Sequence, residues 1–336
     1  MSILITGATG MLGAYTVKSL LESKEDLAIH LTYRSEDKKA LTIAFLNDFN
    51  INPKRIGTLH WHKGDLMDVC FVEGCILDEM TIYHCAAIVS FNKKEANRMI
   101  EVNMKSTQNL INVCINRKDV YILHVSSIAA IGRENTQQIV SENSQWTNSD
   151  ANSAYAVSKN LAEMEVWRGF QEGVKGAIIN PSIILGVFPE SKSSLKIFEL
   201  ANNEFPFYST GENGFVDVED VVKSMILIAK EGVQEERYII SAGNYSYQTI
   251  LNHIADGLGK KKPKYKTTML LGRIALILEF IKVLFGKSRT LSMDLLKTSL
   301  QKNHYNNTKF VEAFNFSYTP IEQSMTEQSR YYKTLL

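Results

Sequence analysis

Thr6-Gly7-Ala8-Thr9-Gly10-Met11-Leu12-Gly13 joins a short apolar run, Ile3 to Thr6, to a helical pattern over Met11 to Glu22. A glycine turn between a first strand and a first helix gathers backbone N–H groups at the positive end of the helix dipole, which suits a pyrophosphate. Glycine at the three positions permits the tight turn, the close passage of a ligand and the packing of helix on strand. Gly7, Thr9, Gly10, Met11, Leu12 and Gly13 are therefore the expected ligand contacts of this turn.

Further apolar runs at Ala28 to Tyr33, Thr58 to Lys63, Thr81 to Cys85, Val120 to Val125 and Gly176 to Ile179 predict strands. Between them lie helical stretches at Lys39 to Asn47, Asn97 to Asn116 and Ser153 to Gln171, the last ended by Gly173. Strands alternating with helices pair in parallel through crossovers, so the fold class is α/β, a Rossmann-type doubly wound sheet. Beyond Pro181 the pattern becomes irregular, with a strand end and helix over Phe215 to Lys230, a strand at Arg237 to Ser241, and helices dominant from Tyr245. The expected division is a dinucleotide-binding domain of residues 1–182 and 214–242 and a smaller, mostly helical substrate lobe of residues 183–213 and 243–336.

At 336 residues the chain has room for about two such lobes. Its 37 Lys and Arg against 36 Asp and Glu leave a net charge of +1, so the totals imply no general attraction to nucleic acid or to a charged bilayer. Hydrophobic residues at 45% and only 6 prolines exclude a disordered chain. Four cysteines (Cys70, Cys75, Cys85, Cys114) make no disulfide framework, and the start of the chain leaves no room for a secretory leader, so a cytoplasmic location is expected. His60 and His62 with Cys70 and Cys75 match no zinc spacing, so no metal is expected. Met269 to Phe285 is strongly apolar, but Arg273, Glu279 and Lys282 interrupt it well short of the roughly 18 uncharged residues of a membrane span. A helix buried in the second lobe is expected there, with weak interfacial membrane contact as the alternative because Lys260 to Lys262, Lys264 and Lys266 precede it.

Three features point to the chemistry. At the end of the second strand the chain reads Thr32-Tyr33-Arg34-Ser35, where an acid would bind the ribose of NAD; a guanidinium there, with Lys39 or Lys38 adding charge, suits a 2′-phosphate. NADP(H) is therefore favoured, while Glu36 and Asp37 keep NAD(H) in play. Tyr155 and Lys159 stand four apart on one helix face, where an ammonium can lower a phenol's pKa and the phenol can exchange a proton. A second pair of the same spacing, Tyr305 and Lys309, lies far beyond the sheet region and reads as surface decoration. Only Tyr155 follows a strand ending in polar residues, Ser126-Ser127, and strand ends of a doubly wound sheet deliver side chains to the ligand crevice.

The wide glycine spacing, Thr-Gly-x-x-Gly-x-x-Gly, together with Tyr155-x-x-x-Lys159, resembles the extended branch of the short-chain dehydrogenase/reductase family over Ile3 to about Gly186. Ser158-Lys159-Asn160-Leu161-Ala162-Glu163 with Trp167 is most similar to the dihydroflavonol 4-reductase group, whose cofactor is NADPH. The resemblance implies that Asp65, beside Leu66, accepts from the adenine amino group, where without that context an Asp after a strand reads as a helix cap. It implies that Cys85, Ala86 and Ala87 lie along the adenosine ribose, and that Pro181 and Ile183 contact the nicotinamide. It implies a catalytic set of Ser127, with Ser126 as runner-up, Tyr155, Lys159 and Asn103, the last placing a water that relays protons to Lys159.

The implied activity is NADP(H)-dependent reduction of a ketone or aldehyde on a small, fairly apolar molecule. A nucleotide-sugar epimerase or dehydratase with retained cofactor is the alternative, and a catalytically silent dinucleotide sensor the third reading. The expected crevice residues are Val89 to Asn92, Ile128 to Ile131 and Phe205 to Tyr208, with substrate identity open and a homodimer through two long helices compatible with the resemblance.

Overall fold

The computed structural model describes residues 2–23, 25–90, 92–132, 139–149, 152–189, 194–267 and 299–336. In chain order the first half runs β1 (Ser2–Thr6), α1 (Met11–Glu22), β2 (Ala28–Tyr33), α2 (Glu36–Asp48), α3 (Pro53–Ile56), β3 (His60–Lys63), α4 (Val69–Cys75), β4 (Met80–His84), α5 (Ala96–Ile115), β5 (Tyr121–Val125) and α6 (Ala154–Gln171). The second runs β6 (Lys175–Pro181), β7 (Ile183–Leu185), α7 (Ser194–Asn202), β8 (Phe207–Tyr208), β9 (Glu212–Asp217), α8 (Val218–Lys230), β10 (Glu236–Ile240), β11 (Gly243–Ser246), α9 (Tyr247–Leu258), β12 (Tyr265–Lys266), α10 (Thr308–Phe314) and α11 (Ile321–Thr334).

Seven strands form one sheet in the order β10-β6-β5-β4-β1-β2-β3, with every pairing parallel. Strand order reverses between β1 and β4, and such a switch point opens a crevice at the strands' carboxyl ends. Alternate side chains of each strand feed opposite faces. Ile3 and Ile5 join α1, α2 and α8 through Val17, Phe45 and Val221, while Leu4 joins α4, α5 and α6 through Val72, Leu110 and Val166. Strands β7, β9 and β11 make a separate small sheet, whose core holds Phe198, Phe215, Ile250 and Met325.

The sheet thus has the doubly wound parallel architecture expected from the alternation of strands and helices, with boundaries shifted by a few residues at most. Helix α4 has no counterpart in that reading, because β-branched residues and Gly74 weaken its local signal; Asp68 caps it, accepting from Cys70 and Phe71 N–H at 3.0 and 3.4 Å. Tyr305 and Lys309 correct the expectation of surface decoration. Tyr305 is buried with Ile128, Ile131, Val140 and Ile239, and Lys309 reaches Glu236 at 2.5 Å across the Tyr238 ring. The cause is the return of the chain's last segment onto the sheet: Phe310 of α10 meets Tyr238 of β10, and Tyr331 and Tyr332 of α11 meet Phe49 at the large-sheet core and Phe198 in the small-sheet core. Met269 to Phe285 lies outside the described residues, and among the described residues no helix is long and apolar enough to cross a membrane.

Candidate active site

At the switch point the glycine turn separates into two kinds of position. Gly7 adopts φ +68°, and a Cβ there would stand 2.7 Å from the Ala86 backbone. A Cβ on Gly13 would stand 2.3 Å from the Gly7 carbonyl oxygen. Packing of turn, helix and β4 therefore demands glycine at both. Gly10 is exposed, and its Cβ would meet only the Gly7 oxygen at 3.4 Å, an ordinary approach, so packing does not explain this glycine. It is the N-cap of α1, where no side chain bonds the first-turn N–H groups, and a bare backbone beside an uncapped helix end fits a dinucleotide pyrophosphate.

One corner of the crevice is charged. Arg34 leaves the end of β2 half-exposed, 3.5 Å from Asp65, whose other oxygen accepts the Met67 N–H at 3.0 Å. Lys39 lies over the Tyr33 and Trp61 rings at 4.9 and 5.4 Å. Glu36 is engaged by Tyr33 at 2.9 Å and Lys63 at 3.1 Å, which hold its carboxyl below the usual range. Arg34 is thus paired with Asp65 and Lys39 rests on aromatic rings, while Glu36 is already held by Lys63 and Tyr33.

Below the turn, Cys85, Ala86 and Ala87 follow β4. Thr6 joins them to the sheet, its hydroxyl meeting His84 Nδ1 at 2.7 Å and accepting the Ala86 N–H at 3.3 Å. His84 Nε2 meets the Thr107 hydroxyl at 3.0 Å, which in turn donates to the Asn103 carbonyl at 2.8 Å, so His84 carries its proton on Nε2. Burial and the Lys159 charge push His84 down to about 3, leaving it neutral. His124, 5.1 Å away on β5, is also held neutral, by burial first, and neither of its ring nitrogens has a hydrogen-bond partner. Asn103 does not stand free: its Oδ1 accepts the Ile88 N–H at 2.7 Å, and its Nδ2 donates to the Ile88 carbonyl at 3.0 Å and to Ser158 at 3.1 Å. It holds the loop after β4 against α6.

The end of β5 and the first turns of α6 bring the polar set together. Ser127 and Tyr155 are hydrogen-bonded. Ser153 caps α6 by accepting from Ala156 N–H at 3.1 Å, starting the helix where Tyr155 and Lys159 fall on its inner face. Lys159 is buried and donates to the Val125 carbonyl at 3.0 Å. Burial pushes its ammonium down to about 8, with Cys85 and the Glu163 carboxylate pulling the other way. The Tyr155 phenol departs from the expected lowering by Lys159: burial raises it, and the Ser127 hydrogen bond offsets this in part. Pro181 ends β6 beside Ile240, and Ile183 pairs with Phe215 in the small sheet.

Glu163, given no role from sequence, is the hub beneath this set. One turn after Lys159 and 2% exposed, it accepts from Ser126 at 2.5 Å, Asn180 at 2.8 Å, Arg237 at 3.0 Å and Trp167 at 3.3 Å. Asn180 also donates to the Ser127 carbonyl at 3.0 Å. Ser126 therefore turns to the buried carboxylate and Ser127 to Tyr155. The only signal for this in sequence is an acid at the i+4 position after Lys159, on the face that α6 buries.

Among the expected crevice residues, Ile128 and Ile131 are buried against Tyr305, Val89 is exposed, Phe91 lies outside the described residues, and Phe205 and Phe207 form an aromatic series with Tyr265. His60 and His62 pair with His30, which stacks on the first at 4.8 Å and meets the second at 3.0 Å; among the described residues no group of three His, Cys, Asp or Glu is placed to hold a metal.

Comparison with known proteins identifies the family and the fold. The NAD-binding family described as Male sterility protein matches residues 5–238. A Synechocystis sp. protein provisionally named dihydroflavonol 4-reductase is 27% identical, the alignment covering 98% of this chain and 94% of that protein. Vestitone reductase of Medicago sativa is 26% identical over 79% of this chain and 82% of its own length. The fold is shared with UDP-N-acetylglucosamine 4-epimerase from Methanobrevibacter ruminantium, at a TM-score of 0.76 and 18% identity, covering 100% of this chain and 99% of that one.

Proposed function

The chain belongs to this NAD-binding family, within the extended short-chain dehydrogenases/reductases, and from that premise we propose that it is an NADP(H)-dependent reductase of a ketone or aldehyde on a small apolar molecule. As an enzyme it is of the NAD(P)-dependent oxidoreductase type. The observation that carries the finer reading is the Ser127–Tyr155 hydrogen bond at the crevice, with the Lys159 ammonium buried beneath it.

The turn at Gly7, Gly10 and Gly13, with Thr9, Met11 and Leu12, would hold the pyrophosphate; Asp65, Leu66, Cys85, Ala86 and Ala87 the adenosine half; Pro181 and Ile183 the nicotinamide half. A bound reduced nicotinamide supplies hydride. The protein's own work is proton and charge management. Ser127 donates a hydrogen bond to the carbonyl oxygen, which stabilises negative charge as it develops there. Tyr155, kept protonated by burial, gives that oxygen its proton and becomes a phenolate. Lys159 stabilises the phenolate and grips the ribose, while Asn103 acts through Ser158 and the Ile88 loop to fix α6.

The test is a panel of carbonyl compounds with NADPH beside UDP- and GDP-sugars. Consumption of NADPH with the carbonyl panel and no sugar conversion is the expected result; sugar isomerisation without net consumption would select the epimerase reading. For the cofactor, Arg34→Ala should weaken NADPH binding about 10- to 100-fold, the range of a charge-assisted hydrogen bond to phosphate, and leave NADH binding within about twofold. Equal losses for both nucleotides in titration would remove Arg34 from discrimination.

The two kinds of glycine give a second check. Gly13→Ala should cost about 2 kcal/mol of stability in a denaturant titration, because backbone must move. Gly10→Ala should unfold within about 0.5 kcal/mol of the parent yet bind nucleotide more weakly, since its added methyl group meets ligand rather than protein. Parental nucleotide affinity in Gly10→Ala would place the pyrophosphate elsewhere.

A further inference from the structure

Phe205, Phe207 and Tyr265 form a continuous aromatic series on the outside of the smaller lobe, their centroids 5.7 and 5.8 Å apart. Phe205 is 45% exposed and Tyr265 60%. The β8–β12 ribbon holds them up: the Pro206 carbonyl accepts from Lys264 and Tyr265 N–H at 2.9 Å, and the Tyr208 carbonyl from Thr267 N–H at 2.8 Å. The segment that carries Tyr265 also carries Lys260, Lys261, Lys262, Lys264 and Lys266, all exposed. Glu204 meets Lys261 at 3.5 Å and Asp256 meets Lys262 at 2.8 Å. Lys260, Lys264 and Lys266 have no ionic partner among the described residues, so three uncompensated charges sit within residues 260–266 of a chain whose net charge is +1.

We propose that this patch docks on an anionic lipid surface, the rings entering the layer between headgroups and acyl chains and the lysines meeting the headgroup charge. Aromatic rings settle at that depth, and lysines beside them add attraction to acidic lipid. A protein partner is disfavoured by area: three partly exposed rings present roughly 250 Å² of apolar surface, less than half of the 600 Å² or so that each partner of even a small stable interface buries. A bilayer needs only a few inserted side chains because charge supplies the rest. Single-stranded nucleic acid needs ring faces on which successive bases can stack, whereas these rings are inclined to one another by 56° and 45°.

The experiment is co-sedimentation of the full chain with vesicles of phosphatidylcholine alone and with about one-third phosphatidylserine. Enrichment on the anionic vesicles, reduced as salt is raised, is expected. Each lysine near an acidic leaflet multiplies binding about fivefold, so reversing three in Lys260→Glu/Lys264→Glu/Lys266→Glu should lower partitioning at least about tenfold. Tyr265→Ser should lower it about threefold, and it serves alone should the triple variant not fold, as read by its melting curve. No enrichment on the anionic vesicles, parental partitioning by a folded variant, or retention on immobilised single-stranded DNA without vesicle binding would each overturn the proposal.

Discussion

Tyr155→Phe is expected to lower kcat for carbonyl reduction by about a thousandfold while nucleotide binding changes less than about twofold. The ring stays and packs as before, so only the transferable proton and the hydrogen bond to Ser127 are lost. Nucleotide fluorescence titration beside single-turnover kinetics separates the two effects; a variant that keeps a tenth of parental turnover would take Tyr155 out of the reaction. The pH profile follows from burial. The proposed reduction requires the phenol protonated and Lys159 charged. Burial raises the phenol, so it stays protonated through neutrality, whereas the ammonium is pushed down to about 8. The rate of reduction should therefore be level below about pH 7 and fall as pH rises through 8, where Lys159 loses its charge.

Glu163→Ala is expected to cost about 3–5 kcal/mol of stability, the range for removing one partner of a buried ion pair. Arg237 would keep its charge with no carboxylate to face, and Ser126 and Asn180 would lose the acceptor that holds two strand ends together. Urea midpoints at fixed slope measure this, and a loss under about 1 kcal/mol would show that the hub relaxes without it. Glu163→Gln retains the shape and an acceptor, so it should fold more readily and report on electrostatics. The carboxylate favours the charged form of Lys159, so its neutralisation should lower the ammonium further and move the alkaline limb of reduction to lower pH. A merely structural Glu163 would leave that limb where it was.

Much of this architecture was written in local pattern. Strands such as Ala28–Tyr33 and helices such as Met11–Glu22 are legible because apolar residues recur at the period of the element they form, and glycine placement marked the crossover into α1. Helix α4 has little local signal because its residues are poor helix formers and its stability comes from Val72 and Cys75 in the core. The burial of Tyr305 is illegible for a related reason: no periodicity reveals that a segment far along the chain folds back under β11, where Asn244 bonds both its N–H and its carbonyl.

The candidate site divides along the same line. Residue types and their spacing determined the glycine turn, the four-residue step from Tyr155 to Lys159 and the cation at the end of β2, because each depends on one element's repeat or one loop's length. Tertiary structure alone decided that Ser126 turns to Glu163, that Glu163 gathers groups up to 74 residues away, and that the phenol is raised while the ammonium is lowered. Those outcomes rest on desolvation and on contacts between distant segments, and neither quantity has a period along the chain.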